Sequence, residues 1–134
     1  MTATEKVRKE ITVRIPDRKV SVEADCYGDY AVHRPIMTDR VDGKRGCSFV
    51  SEDPKDGFVV THIPSGMVVM RGASDEIKRI RRGRTTGIGF MTAIAKDLAT
   101  LPTLAMTKEG VPTDESTQLL KEVVQKHVYG EETE

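Results

Sequence analysis

The stretch KRIRRGRTTGIG, residues 78–89, contains the residues of this chain that are best suited to chemistry. Its first part is a cluster of five cations: Lys78, Arg79, Arg81, Arg82 and Arg84. If these residues form a helix, successive side chains are rotated by about 100°, and the cations surround the helix instead of forming one stripe. The cluster therefore has two interpretations: a solvated or subunit-contacting helix end, or an electrostatic field around a bound anion.

The turn GRTTG, residues 83–87, is the better candidate for direct contact with a phosphate. It is predicted to lead into a helix, whose first N–H groups and partial positive charge attract anions. Arg84 can bind a phosphate through two N–H groups, and Gly87 lets the backbone approach closely. Thr85 and Thr86 add hydroxyl donors. We therefore predict that the ligand contacts Arg84, Thr85, Thr86 and Gly87, within the field of Arg79, Arg81 and Arg82.

This turn matches neither of the common phosphate-binding loops. A P-loop needs a lysine after its second glycine, and the dinucleotide fingerprint needs a third glycine; the stretch has neither. The prediction of anion binding therefore depends on physical chemistry and not on a family motif.

Two histidines near the ends of predicted strands form a second candidate constellation. His33 is followed by Arg34 in the run YAVHR, and His62 lies near the end of FVVTHI. If the two strands are neighbours, both histidines and Arg34 can face one cavity and line the rest of the ligand site, with Tyr30 or Tyr27 recognising a base. The alternative for His62 is a hydrogen bond that stabilises the turn after it.

Catalytic and metal-binding patterns are missing from the sequence. There is no GxSxG, neither cysteine has a partner histidine near it in the sequence, and many acidic residues fall in predicted turns. Two histidines without a third ligand do not indicate a zinc site. We therefore predict a non-enzymatic protein with no catalytic residue, no metal and no cofactor.

The charge distribution restricts the class of partner. The 134 residues include 21 basic and 21 acidic side chains, and zero net charge argues against a protein that coats nucleic acid non-specifically. Basic side chains outnumber acidic ones in residues 71–84, and acidic side chains outnumber basic ones in residues 109–134. The two regions can therefore attract each other within or between subunits. Aromatic residues make up only 4% of the chain, which leaves the core to aliphatic side chains. Because this supply of core side chains is modest, we expect a homo-oligomer that buries further surface between its subunits.

Cysteine use and hydropathy favour the cytoplasm. Cys26 and Cys47 are the only cysteines, and they are expected to be free thiols in a reducing compartment. The chain has no apolar run that approaches the roughly 18 residues of a membrane span. Its first ten residues lack the apolar core of a signal peptide. A cytoplasmic protein without a membrane partner is expected.

Hydrophobic periodicity predicts an α+β fold. Apolar and polar residues alternate in EITVRI and KVSVEA, and further strands are predicted at YAVHR, CSFV, FVVTHI and MVVM. These runs indicate an N-terminal antiparallel β-meander of five or six strands. Residues 38–46 are polar and contain two glycines, which is typical of an exposed loop.

The second half of the chain changes to a helical period. Helices are predicted over residues 75–82, around Phe90 to Leu101, and from Thr113 or Asp114 onward. About three helices would then pack on one face of the sheet. The chain is predicted to be a single domain, 1–134, with a β-rich part at 4–70, a helical part at 74–129 and a disordered tail at 130–134.

The runs YAVHRP, FVVTHIPSG and MVV, between about residues 30 and 70, resemble small accessory proteins encoded by tailed bacteriophages. Some phage accessory proteins of this size and α+β composition inhibit bacterial immunity, and these include oligomeric sponges that sequester cyclic nucleotide signals. The resemblance implies an anti-defence protein in the host cytoplasm. It also implies that the basic cluster and the Thr85–Gly87 turn hold the phosphate.

Three hypotheses for function follow. The first is a non-enzymatic protein that sequesters a small phosphorylated or cyclic nucleotide-like ligand. The second is a nucleic-acid-binding protein that uses the basic helix. The third is a protein-interaction inhibitor module that presents its acidic tail or an exposed strand edge to a partner protein.

Overall fold

The computed structural model describes residues 5–15, 18–52, 56–71 and 88–128. These residues form an α+β fold, as the sequence predicts. The strands are β1 (Val7–Ile15), β2 (Arg18–Tyr27), β3 (Tyr30–His33), β4 (Ile36–Val41), β5 (Lys44–Val50), β6 (Val59–His62) and β7 (Met67–Arg71). The two helices of the described residues are α1 (Ile88–Leu98) and α2 (Asp114–Val128).

Five of the strands form one antiparallel sheet in the order β1-β2-β3-β6-β7. The β1–β2 hairpin arises from the predicted alternation, since Ile11 and Val13 are buried while Thr12 between them is exposed. Its register runs without interruption from Val7 opposite Cys26 to Ile15 opposite Arg18. The predicted strands around YAVH, VVTH and MVVM are confirmed as β3, β6 and β7.

Residues 36–50 form a separate two-stranded sheet, β4–β5, and this corrects the prediction of a loop at 38–46. The hairpin reverses at Asp42 and Gly43, which both have positive φ angles of 54° and 78°. Such a pair is favoured in two-residue hairpin turns because it matches the twist of the flanking strands. Most side chains of the hairpin are exposed, so the turn and the backbone pairing define these strands and burial does not.

The insertion of this hairpin also corrects the simple meander. After β3 the chain leaves the large sheet, forms β4 and β5, and returns as β6 beside β3. The described residues therefore contain seven strands in two sheets, where the sequence predicts five or six in one meander.

Both described helices contribute to a hydrophobic cluster on one face of the large sheet. Met91, Ile94 and Leu98 of α1 are fully buried in this cluster together with Val32 and Val60 of the sheet. The prediction of an apolar α1 face is confirmed, with Phe90 and Leu101 partly buried beside that cluster. Helix α2 adds the buried Leu120, while Leu119 is 40% exposed.

A second cluster contains strand residues and lies apart from the first. Its buried members are Ile11, Val13, Val22, Ala24, Cys26 and Ala31. The backbone N–H of Arg14 in β1 donates to the carbonyl of Gly66 in the β6–β7 turn at 2.7 Å. This hydrogen bond joins the two edges of the sheet, which is therefore curled at this end. The first strand thus reaches the turn between the last two strands.

Two predicted segments lie outside the described residues: the helix at 75–82 and the tail at 130–134. Within the described part of the chain, no helix is both long and apolar enough to cross a membrane.

Candidate ligand-binding site

Most of the predicted phosphate site lies outside the described residues. This applies to all seven residues of the basic cluster and turn that the sequence assigns to the ligand: Arg79, Arg81, Arg82, Arg84, Thr85, Thr86 and Gly87. Their role in anion binding stays a prediction. The chain is described again from Ile88, which directly follows residues 83–87 in the sequence and is the first residue of α1.

The two predicted histidines lie on neighbouring strands but do not face one cavity. Strands β3 and β6 pair as the sequence analysis supposes, with Tyr30 opposite His62 and His33 opposite Val59. Because His62 is three residues from Val59, it points to the sheet face opposite to that of His33. The prediction that both histidines line one site is therefore wrong.

His62 belongs to the core beneath helix α1 and to the turn that follows β6. Its ring lies 5.3 Å from the Tyr30 ring, and its Nδ1 lies 2.8 Å from Oγ of Ser65. The same Ser65 oxygen accepts the N–H of Met67 at 3.2 Å. Burial lowers the pKa of His62, although nearby Asp29 acts in the other direction. These contacts agree with the turn-stabilising interpretation of His62.

Tyr30 is 3% exposed and also belongs to this core. Burial, and secondarily the charge of Asp29, raises the pKa of its hydroxyl to about 12. The phenol is therefore neutral at physiological pH. Its ring packs in the same cluster as Val32 and Leu98, which is a core position and not an open stacking platform.

His33 holds the backbone at the end of β3. Its Nδ1–H donates to the carbonyl of Arg34 at 2.7 Å, and its Nε2 accepts from the Thr61 hydroxyl at 2.8 Å. Burial lowers the pKa of His33, and the bond to the Arg34 carbonyl opposes that shift. Both ring nitrogens of the neutral imidazole are thus engaged, and His33 fixes the position from which Arg34 projects.

Arg34 lines a cavity of about 530 Å³, which we call the strand-end cavity. Phe58 and Ile88 line it too, and the Arg34 guanidinium lies over the Phe58 ring at 4.4 Å from its centroid. Such a cation–π contact orients the guanidinium. The cavity therefore adjoins the end of β3, the segment before β6 and the start of α1.

The lining of this cavity from β1 and β2 is acidic. Glu10, Glu23 and Asp25 belong to it, together with Arg8. Arg8 is paired with these acids, at 3.0 Å from Asp25 and 3.8 Å from Glu23. The strand-end cavity thus combines two arginines, Arg34 and the acid-paired Arg8, and a helix start with three carboxylates.

The start of α1 retains its partial positive charge. Its first turn has no acidic residue, and its first N–H groups have no acceptor within the helix. Ile88 is 45% exposed, and a Cβ added at Gly89 would meet no atom within 4 Å. No described residue therefore covers Gly89 at the start of this helix.

Sequence reasoning missed Phe58 and Ile88 as lining residues. Phe58 occupies a position that the alternation assigns to the core, yet it is only partly buried. Ile88 lies one residue beyond the predicted turn, and nothing in its type indicates a binding role. Their shared cavity follows from the way β6 and α1 meet the end of β3.

Comparisons of the chain with protein-family models, with curated proteins and with solved structures find no match. The resemblance of residues 30–70 to phage accessory proteins stays a prediction, and the case for function depends on the geometry of the chain itself.

Proposed function

We propose that this protein is a non-enzymatic binding protein that sequesters a small phosphorylated, nucleotide-like ligand in the strand-end cavity. The observation that carries the proposal is that Arg34 and Ile88 line the same cavity. Ile88 begins the helix that directly follows the GRTTG turn. A phosphate at this end of the cavity would meet a guanidinium and helix N-terminal amides together.

The acidic part of the lining favours a nucleotide over a simple oxyanion. Glu10, Glu23 and Asp25 would repel a bare phosphate, but carboxylates accept hydrogen bonds from ribose hydroxyls and base amino groups. A ligand with an anionic end and a donor-rich end suits this lining. The volume of about 530 Å³ lies within the range of roughly 300–1,000 Å³ that is typical of small-molecule sites.

The hydrogen bonds of His33, the histidine that lines the cavity, favour sequestration of a ligand over its catalytic turnover. His33 uses Nδ1 on the Arg34 carbonyl and Nε2 on Thr61, so its ring is committed to structure. A general base must be able to reach a substrate proton. The proposal also retains a homo-oligomer in the cytoplasm, and the anti-defence role that the phage resemblance implies.

Isothermal titration calorimetry with a panel of cyclic and linear nucleotides tests this function. A protein concentration of about 100 μM detects ligands with micromolar dissociation constants. At least one nucleotide is expected to bind, and Arg34→Gln is expected to weaken it about 10-fold or more, because hydrogen bonds to charged groups are the strong ones.

Lys19→Gln is the matched control, since Lys19 is an exposed cation of β2 outside the cavity lining. Its affinity is expected to stay within about twofold of the unsubstituted protein. Absence of heat with every nucleotide would refute the proposal, as would equal losses from Arg34→Gln and Lys19→Gln.

A further inference from the structure

A second cavity, of about 340 Å³, lies between the β4–β5 hairpin and the ends of β1 and β7. Three arginines line it: Arg40 of β4, Arg45 of β5 and Arg71 of β7. Thr38 adds a hydroxyl, and none of the described residues in the lining carries a carboxylate. We call it the arginine cavity, and its charge contrasts with the mixed charge of the strand-end cavity.

Arg40 and Arg45 bring their positive charges to this cavity from two paired strands. The two residues are register partners, so two positive side chains stand directly opposite each other across the β4–β5 ladder. Arg71 brings a third positive charge from the edge strand of the other sheet. Three cations from three strands thus converge on one concave surface.

The framework around this cavity is held in place by hydrogen bonds of its own. Arg18 donates from Nη1 to the carbonyl of Gly46 at 2.6 Å, which ties β5 to β2. The hydroxyls of Thr38 and Ser48 lie 3.1 Å apart across the hairpin. The arginine cavity is therefore lined from two sheets whose relative position is fixed by a contact outside it.

We infer that the arginine cavity binds a phosphoryl group, with pyrophosphate and phosphorylated small molecules as the ligand class. Guanidinium groups bind phosphate oxygens through pairs of parallel N–H bonds, and three of them match the charge of a diphosphate. This inference is independent of the proposed nucleotide site, because the two cavities share no lining residue.

Calorimetric titration with pyrophosphate, phosphate and sulfate tests the inference, in the unsubstituted protein and in single variants. Pyrophosphate is expected to bind most tightly. Arg40→Gln and Arg71→Gln are each expected to weaken it about 10-fold or more. Lys44→Gln is the control, because Lys44 is an exposed cation of the same hairpin outside the lining. Its effect is expected to stay within about twofold.

Equal weakening by Lys44→Gln and Arg71→Gln would overturn the inference, since it would indicate attraction to general charge. Absence of pyrophosphate binding at millimolar concentration would overturn it too. Arg71 lies exposed at the end of an edge strand, so Arg71→Gln keeps the test valid if Arg40→Gln unfolds the hairpin. Arg34→Gln should leave pyrophosphate affinity unchanged, which separates this site from the nucleotide site.

Thermal unfolding gives a second readout. Pyrophosphate is expected to raise the unfolding temperature of the unsubstituted protein, because a ligand of the native state stabilises it. Arg40→Gln is expected to lose most of this rise, whereas Lys44→Gln should keep it. An Arg40→Gln protein that keeps the full rise would contradict the inference.

Discussion

His33 and His62 lie on paired strands of one sheet and on opposite faces of it. His33 bonds to Thr61 and to the Arg34 carbonyl, whereas the His62 ring packs at a tilt against Tyr30 and bonds to Ser65. The two residues therefore have separate tasks: one fixes the backbone next to the strand-end cavity, and the other connects the core to the β6–β7 turn. Substitutions at the two histidines and their partners should therefore have separate effects on the stability of the protein.

The Ser65 hydroxyl joins His62 to the turn, so Ser65→Ala is expected to destabilise the protein by about 1–3 kcal/mol. The reason is that the substitution leaves the buried Nδ1 of His62 and the partly buried N–H of Met67 without their partner. Urea unfolding measures the change. Ser21→Ala is the control, because Ser21 is exposed on β2 and should change stability by less than about 0.5 kcal/mol. Equal effects of the two substitutions would contradict the assignment.

Stability is expected to fall as the pH decreases from 7.5 to 5.5. Burial holds the pKa values of His33 and His62 below the ordinary value of 6.5, so the unfolded chain takes up protons that the folded chain resists. The stabilisation is complete above the unfolded pKa and is lost as the pH falls through the folded pKa. Urea unfolding at several pH values measures it.

His33→Gln should reduce this pH dependence, since one of the two buried imidazoles is lost. The glutamine amide can still bond Thr61, which limits structural damage. An unchanged slope in His33→Gln, or stability that rises towards pH 5.5, would show that the buried imidazoles are not the groups responsible.

The contact between β1 and the β6–β7 turn requires glycine at position 66. Gly66 has a φ angle of 72°, and an added Cβ would lie 3.1 Å from the Thr12 carbonyl oxygen and 3.3 Å from the Arg14 nitrogen. Gly43 has a similar φ of 78° but open space around it. Gly43→Ala is therefore expected to cost about 1–2 kcal/mol from backbone conformation alone.

Gly66→Ala should cost at least about 1 kcal/mol more than Gly43→Ala, because backbone atoms of β1 must move as well. Thermal and urea unfolding of the two variants provide the comparison. Equal losses would mean that the close approach of β1 to this turn does not constrain the fold.

Helices α1 and α2 are linked by Asp97 and His127, whose Oδ2 and Nε2 atoms lie 2.8 Å apart. Both side chains are partly exposed, so a modest coupling free energy of about 0.5–1 kcal/mol is expected. A double-mutant cycle with Asp97→Asn and His127→Gln measures that coupling. Additive losses from the two single variants would exclude a direct interaction in solution.

Elements with a strong period were predictable from the sequence. Ile11, Val13 and Val22 alternate as β1 and β2 require, and Ile94 with Leu98 marks the buried side of α1. In the β4–β5 hairpin the run CSFV, residues 47–50, was correctly predicted as a strand, but residues 38–46 were not, because they are mostly polar and exposed. Asp42-Gly43 was the local signal for the turn of this hairpin, since that pair favours a two-residue turn.

The candidate site was harder to predict because it depends on register. The sequence indicates that His33 and His62 lie on neighbouring strands, but a shift of one residue would place both on the same face. No local pattern determines that register. The arginine cavity was missed for a related reason. Arg40 and Arg45 belong to one sheet and Arg71 to the other, and no sequence pattern indicates how the two sheets are placed.

The most direct test of the proposed function is a ¹H–¹⁵N NMR titration of the full chain with cyclic nucleotides to millimolar concentration. We expect the largest saturable shifts at the amides of Arg34, Phe58 and Gly89, around the strand-end cavity and the start of α1. Absence of shifts at these amides, or shifts confined to the hairpin around Arg40 and Arg45, would contradict it.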